Sequence, residues 1–360
     1  MKRKPSRFSR HLKWSGRRKS SPRLLSICIA TYNRGAFISR TLESIVAQLR
    51  PEVEIVVVDG ASTDDTESVV KRFAAKSRSI RYIRLPKKGG VDQDYCTSVE
   101  LARGKYVWLF TDDDVLEPGA IARVLRELRS GFSLLTVNAR VMDSGCDRTL
   151  VSNMMGRSAD IVFDPADLEG LFSVIVPYVS FIGCLVIERK IWLERETRPY
   201  LGSEFVHVGV VFQSPLPGKS LVIADPLVTI RYGNAQWTTR ASAIWLSKWP
   251  KLLWSFANIP DAVKREKVDP VSLKELRKLV VFRALGSYSR GVFGEYLLPG
   301  PSPFWWKAIA YAVTLIPAGW ARVFVAWYLK KFRWESNEAR LTYYDLVAGH
   351  KDPAGNYKFA

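Results

Sequence analysis

Five short apolar runs alternate with helical patterns between residues 24 and 138, and this alternation limits the fold more than any other feature of the chain. The runs are LLSICIA (24–30), VEIVVV (53–58), RYIRL (81–85), KYVWLF (105–110) and FSLLTVN (132–138). After the first run, Ile38, Leu42, Ile45, Val46 and Leu49 recur at helical spacing, and SVVKRFAAK follows the second run. A third helix is predicted to end near Arg103, stopped by Gly104. A fourth is predicted to open at Pro118 and end near Gly131. Strands alternating with helices of this length predict βαβ units and an α/β fold with a mostly parallel, Rossmann-like sheet.

Such sheets keep their ligands at the carboxyl ends of the strands. Three loops then share one rim: Thr31–Gly35, Asp59–Asp64 and the run Asp112-Asp113-Asp114. No GxGxxG follows the first strand and no GxxxxGK[ST] occurs anywhere, which argues against dinucleotide binding and P-loop chemistry.

Beyond residue 140 the pattern loosens. IGCLVIE (182–188) reads as a strand, and LVIADPLVTIRY (221–232) as one or two more. After Gln236 the composition shifts: nine of the twelve tryptophans lie from Trp237 onward, mixed with Lys and Arg. In AIWLSKWPKLLWSF (243–256), Trp245 and Trp249 stand four apart. The stretch 303–334 is long and aromatic, but Lys307, Pro317 and Arg322 interrupt it before about 18 uncharged residues accumulate. It reads as a helical hairpin that either packs on the core or lies in a membrane interface, where Trp and Tyr concentrate and Lys and Arg can snorkel. The expected organisation is a basic tail (1–23), an α/β domain (24–235) whose pattern changes near 140, and a Trp-rich helical region (236–360).

The 360 residues carry 54 Lys and Arg against 35 Asp and Glu, a net charge of +19 that calls for an anionic partner. Residues 1–23 hold ten of the basic residues, no acid and no apolar core for a secretory signal, and read as a solvated tail or one that touches anionic lipid. The four cysteines are widely spaced, which argues against a zinc site and fits a reducing compartment.

Three adjacent aspartates repel one another and attract a cation. Oxygen donors suit Mg²⁺ or Mn²⁺, which would join the carboxylates to substrate phosphates. On the triplet alone, a solvated turn capping the helix at Pro118 is an equal reading. The ordered set SICIATYNRGAFISRTLESI, VEIVVVDGASTDDT and ARGKYVWLFTDDDVLEPGA changes the balance. Together these stretches resemble the nucleotide-sugar-binding half of GT-A glycosyltransferases, in particular the inverting family 2, over residues 24 to 140. GGVDQDYCTSVELARGKYVWLFTDDDVLEPGA is most similar to the abequosyltransferase-type branch of O-antigen assembly.

The resemblance implies a GT-A nucleotide-diphospho-sugar transferase fold, its catalytic domain (24–235) divided into a nucleotide-sugar-binding half (24–140) and an acceptor half (141–235), with a C-terminal helical extension. It implies that Thr31 and Tyr32 line the base and ribose, that Asp59 accepts from the base, and that Asp94 lies near the nucleotide. Asp112 would face the ribose and Asp113 the metal, with Asp114 as a further metal ligand. Thr111 stands where many members carry the first acid of Asp-x-Asp-Asp, so the ligand set can shift by one position. Arg34 counts among the nucleotide-sugar-binding residues. Arg231, with Asn234 in IRYGNAQW after the last predicted strand, would neutralise the departing diphosphate or, equally, stand as a surface arginine. The base expected in an acidic pair has no such pair here; Glu204 is the one carboxylate in RPYLGSEFVHVGVVFQ and takes that role, with His207 as runner-up.

The expected activity is metal-assisted, inverting sugar transfer from a nucleotide-diphosphate donor to a saccharide acceptor carried on lipid. It would take place peripherally on the inner face of the cell membrane, with Mn²⁺ or Mg²⁺ and without nucleic acid. Two other readings remain at this point. One is a nucleotidyltransferase that makes an activated sugar, although Arg34-Gly35 is little to stand for its basic glycine loop. The other is a non-catalytic membrane- or nucleic-acid-binding protein, suggested by the charge.

Overall fold

The computed structural model describes residues 23–234, 240–269 and 272–348. The basic tail (apart from Arg23), Trp237, His11 and His350 lie outside the described residues. Ten strands form one sheet: β1 (Leu25–Thr31), β2 (Val53–Asp59), β3 (Ile80–Arg84), β4 (Tyr106–Phe110), β5 (Val115–Leu116), β6 (Leu134–Met142), β7 (Thr149–Val151), β8 (Ile161–Phe163), β9 (Leu185–Glu188) and β10 (Ser220–Arg231). Their order is β3-β2-β1-β4-β9-β6-β10-β5, with β7 on β6 and β8 on β10. β1, β2, β3, β4, β6 and β10 run one way; β9, inserted between β4 and β6, and the short β5, β7 and β8 run the other. The strands are thus mostly parallel within a mixed sheet.

Helices α1 (Gly35–Val46), α2 (Thr66–Lys76), α3 (Val91–Leu101) and α4 (Ala120–Arg129) cross between the first strands. Each lays an apolar stripe on the sheet; in α1 this is Ile38, Leu42 and Ile45. Covered on both faces, β2 and β4 are buried at every position, which is why they read as unbroken apolar runs. α5 (Leu168–Ile175), α6 (Arg189–Leu193) and α7 (Val206–Phe212) complete the sheet half.

Where local pattern and structure differ, long-range pairing is the cause. The fourth helix starts at Ala120 rather than Pro118, because Val115 and Leu116 first form β5 against Thr229 and Val228. Gly119, at φ +83°, turns the chain into that helix. The strand expected at 132–138 runs on to Met142 because β10 continues beside it to Arg231. LVIADPLVTIRY is one strand with irregular register around Pro226. In IGCLVIE only Leu185–Glu188 pairs; Ile182–Cys184 is a 3₁₀ turn.

After residue 240 the chain is helical: α8 (Ala241–Ala243), α9 (Trp249–Trp254), α10 (Asp261–Lys267), α11 (Leu273–Ala284), α12 (Arg290–Val292), α13 (Phe304–Leu315), α14 (Ala318–Phe332) and α15 (Asn337–Ala348). The Trp-rich region divides. Trp249 packs 4.7 Å from the Phe205 ring and Trp245 packs 5.8 Å from it, so this part joins the main core. Trp306 is buried in a second cluster with Leu279, Tyr288 and Val313. The hairpin expected at 303–334 is instead an angle: α13 and α14 meet at 103°. Pro317 precedes α14 and holds Ile316 extended, which ends α13. No single described helix is long and apolar enough to cross a membrane. α15 returns to the sheet, where Leu341 packs on Val141 and Val151 and the Tyr232 hydroxyl donates to Asp345 at 2.7 Å.

Candidate active site

The site begins with register. Thr31 pairs with Asp59 and Ile29 with Phe110, so the ends of β1 and β2 stand level with Asp112, two residues past β4. The first two loops brace each other. The Thr63 amide donates to Asn33 at 2.8 Å, the Gly35 amide to Asp64 at 3.0 Å, and the Arg34 amide to Thr66 at 2.9 Å. This bracing presents the Arg34 side chain to the aspartate run.

The three aspartates have different employment. Arg34 Nε lies 3.4 Å from Asp112 and its Nη2 lies 3.2 Å from Asp113. These two carboxylates keep 13% and 14% exposure. Asp114 is turned inward. One oxygen accepts from the Arg231 amide at 2.8 Å, the other from the Thr111 hydroxyl, and its carbonyl accepts from Thr41 at 2.7 Å. With both carboxylate oxygens engaged by the fold, Asp114 anchors β10 to the β4–β5 turn. This corrects its expected place among the metal ligands. It does not cap the following helix either, since Gly119 stands at that helix start without a side-chain cap.

Burial raises all three above the usual carboxylate range. For Asp112 the neighbouring charge of Asp113 adds to it; for Asp113 the charges of Arg34 and Arg231 oppose it. Arg34 and Arg231 lie on the Phe37 ring, 5.4 and 5.3 Å from its centroid, and Arg34 also donates to the Asn234 carbonyl at 3.1 Å. Thr31 and Asn234 lie buried beside Asp112 and Asp113 and favour their charged forms, and Arg231 Nε is buried here without a hydrogen-bond partner among the described residues. Arg231, Asn234, Arg34, Asp112 and Asp113, from three separate segments, therefore meet in one place.

Asp59 is fully buried, its oxygens engaged by the Ser62 amide at 2.8 Å and by the Tyr82 hydroxyl. Tyr32 carries Lys88 over its ring at 3.7 Å. Asp94 lies so close beneath the second loop that a side chain at Gly60 would come within 2.8 Å of its carboxylate. Burial pushes Asp94 up to about 6, opposed by Lys88. Tyr82 and Lys88 carried no motif and were not legible in advance.

Glu204 and His207 part company. Glu204 sits in the left-handed region at φ +72°, a conformation that costs a non-glycine residue on the order of 1 kcal/mol. Its carboxylate meets Lys248 at 2.9 Å and Arg240. Asp92, on α3, holds this turn in place by accepting from the Glu204 amide at 2.9 Å and the Val206 amide at 3.0 Å. Asp92 was missed because its partners lie more than a hundred residues away. His207, in the first turn of α7, is buried, its Nε2 against the Val179 carbonyl at 2.8 Å. Burial holds it down to about 4, so it stays neutral, and it sits inside the fold rather than at the strand-end rim. That corrects its expected part as runner-up base.

Among the described residues no three His, Cys, Asp or Glu side chains converge into a metal cage. Asp112 and Asp113 nevertheless fit Mg²⁺ or Mn²⁺. They are hard oxygen donors, desolvated and adjacent, and these cations ordinarily complete their shell with water and substrate phosphate.

Residues 26–176 match the family described as Glycosyl transferase family 2. Abequosyltransferase RfbV of Salmonella typhimurium is 29% identical over 237 residues, covering 61% of this chain and 70% of that protein. A GalNAc(5)-diNAcBac-PP-undecaprenol beta-1,3-glucosyltransferase of Campylobacter jejuni is 29% identical over 122 residues, 34% of this chain and 40% of its own length. Chondroitin synthase of Escherichia coli is 34% identical over 130 residues, 36% of this chain and only 19% of that enzyme. Among solved structures, S. aureus TarS superposes with a TM-score of 0.54 at 15% identity, over 86% of this chain and 93% of that one. Mannosyltransferase PcManGT from Pyrobaculum calidifontis, in complex with GDP-Man and Mn²⁺, superposes with a TM-score of 0.51 at 15% identity, over 90% and 86%. At such identity the likeness speaks for the fold, which is GT-A.

Proposed function

We propose that this chain, a glycosyltransferase whose residues 26–176 form a Glycosyl transferase family 2 domain, moves a sugar from a nucleotide-diphosphate donor to a lipid-linked saccharide with inversion at the anomeric carbon. The observation that carries the reading is the pair Asp112 and Asp113, desolvated at the sheet rim with Arg34 and Arg231 beside them. Similarity to an abequosyltransferase and to a glucosyltransferase named for a saccharide on diphospho-undecaprenol supports an acceptor of this kind in O-antigen or polysaccharide synthesis. A lipid-borne acceptor and a cytosolic nucleotide sugar would meet at the inner membrane face.

Asp112 and Asp113 would hold the divalent cation, which when bound acts as a Lewis acid toward the departing diphosphate. Arg34 neutralises both carboxylates in its absence and would exchange these contacts for the diphosphate when donor arrives. Arg231 adds a buried positive charge beside Asp113. Thr31, Tyr32, Asp59 and Asp94 line the nucleotide side. An acceptor hydroxyl attacks the anomeric carbon, the bond to the diphosphate oxygen breaks, and the diphosphate leaves with that electron pair. The hydroxyl proton passes to Glu204, which must give up an ion-pair contact to take it. The left-handed turn and the Asp92 clamp keep that carboxylate in a single place.

Calorimetry with UDP, dTDP, CDP and GDP, with and without Mn²⁺, tests the reading. One nucleotide should bind with metal, and Asp113→Ala should weaken it by about a hundredfold or more, as expected when a charge-assisted contact to a bound cation is lost. Equal binding by the variant would overturn the clamp. Glu204→Gln should keep nucleotide affinity and lose turnover by about 10²–10⁴.

A further inference from the structure

The angle made by α13 and α14 places its large side chains outward. In α14, Trp320, Val323, Phe324 and Trp327 are 78%, 73%, 57% and 51% exposed, whereas Ala321, Val325 and Leu329 face inward. In α13, Phe304 is 88% exposed, and Trp305, Ile309 and Leu315 are about half exposed, while Trp306, Ala310 and Val313 are buried. The outward residues recur at helical spacing, so each helix has one face built against protein and another built of aromatics. Exposed apolar patches of this extent in a folded protein mark interaction surfaces.

The chemistry of the partner is written in the charge. From Pro303 to Trp334 there is no acidic residue and there are five basic ones, Lys307, Arg322, Lys330, Lys331 and Arg333. Lys331 lies over Trp327 and Phe332, 5.4 and 5.3 Å from their centroids, so cation and apolar ring are presented together. Length and the bend limit the orientation. At about 1.5 Å per residue, α13 and α14 span roughly 18 and 22 Å, short of the roughly 30 Å hydrocarbon layer. Their 103° bend rules out a shared straight path. Both helices suit an in-plane position at the headgroup level instead.

We infer that the outward faces of α13 and α14 form a seat on an anionic lipid surface, the aromatics entering the acyl boundary and the lysines meeting phosphate headgroups. The inference deepens the proposed function, resting on it only for the acceptor's lipid anchor. The seat is tied to the donor site through α15. Ala321, Val325 and Leu329 of α14 pack with Ala339 and Leu346 of α15, and Asp345 of α15 accepts from Tyr232, the neighbour of Arg231.

Flotation of the full chain with phosphatidylcholine vesicles, with and without phosphatidylglycerol, tests this at low and high salt. The protein should float with the anionic vesicles, and high salt should weaken the association. The triple variant Trp320→Ser/Phe324→Ser/Trp327→Ser should lose at least about tenfold in vesicle affinity at every salt concentration. Lys330→Glu/Lys331→Glu should lose the preference for phosphatidylglycerol. Quenching of tryptophan emission by brominated lipid should be strong in the unaltered chain, a readout that needs no variant to fold. Unchanged flotation of the triple variant overturns the seat, and so does absence of quenching. A dimer in sedimentation that the triple variant breaks, without vesicle binding, assigns the face to a second copy and also overturns it. Nucleotide binding by the same variants in vesicle-free buffer should be unaltered, so loss of the seat and loss of the transferase reading are told apart.

Discussion

The sheet half and the helices beyond residue 240 treat their largest side chains in opposite ways. Trp108 on β4 is wholly buried, its indole donating to the Gly183 carbonyl at 2.9 Å. Trp320 on α14 is 78% exposed. The sheet half spends its apolar residues on one continuous core and leaves polar groups at the rim of the strands. The later helices keep small separate clusters and turn many aromatics outward. One region is organised around what it encloses and the other around what it displays, and tryptophan content alone distinguishes neither.

Paired truncations separate the two regions most directly. Trp108→Ala should cost about 3–5 kcal/mol, since it opens a cavity and strands a carbonyl, whereas Trp320→Ala should change stability by less than about 0.5 kcal/mol. Urea unfolding of the two variants is the check, and similar losses would refute the division.

A second contrast is set by pH. The folded value of His207, about 4, lies below that of a free imidazole, about 6.5. Above about pH 6.5 the ring is neutral in both states and its burial carries no ionisation penalty. As pH falls toward 4 the unfolded chain binds a proton that the native one does not, so stability is lost, by about 3 kcal/mol in all. The rim carboxylates act in the opposite direction: raised in the folded state, they take up protons there first and favour folding as pH falls. Denaturant midpoints at neutral and acid pH should show a smaller acid loss for His207→Gln than for the unaltered chain.

The smallest effect sharpens the contrast within the aspartate run itself. Asp114→Ala should cost about 2 kcal/mol, because the Arg231 amide and the Thr111 hydroxyl lose their acceptor. Asp113→Ala, at the more exposed rim, should cost less than about 0.5 kcal/mol in thermal unfolding while removing nucleotide binding. Equal costs would mean that the two aspartates share one role.

Much of the sheet half was legible because its signals are local. A buried strand writes itself as an apolar run and an amphipathic helix as a 3.6-residue period. The rule that ligands sit at strand ends then places Thr31, Asp59 and Asp112 on one rim. The site was less legible. Asp112, Asp113 and Asp114 are chemically identical, and only the arrival of β10 at Asp114 and of Arg34 at the other two separates them. Asp92 reads as a first-turn charge of α3, yet it serves a turn that begins at Glu204. His207 reads as a candidate base because nothing local reveals that α7 is buried along its whole length.

By itself, then, the sequence determined the alternation of strand and helix, the rim on which the acidic loops stand, the cationic character of the chain and the aromatic weight of its C-terminal region. Each is a property of neighbouring residues or of a sum over them. Tertiary structure decided which aspartate is turned into the fold, which tryptophans are core and which are surface, that α13 and α14 meet at an angle, and that Glu204 rests between Arg240 and Lys248. Those choices depend on groups far apart in the chain, and a side chain's burial and partners exist only once the chain has brought them together.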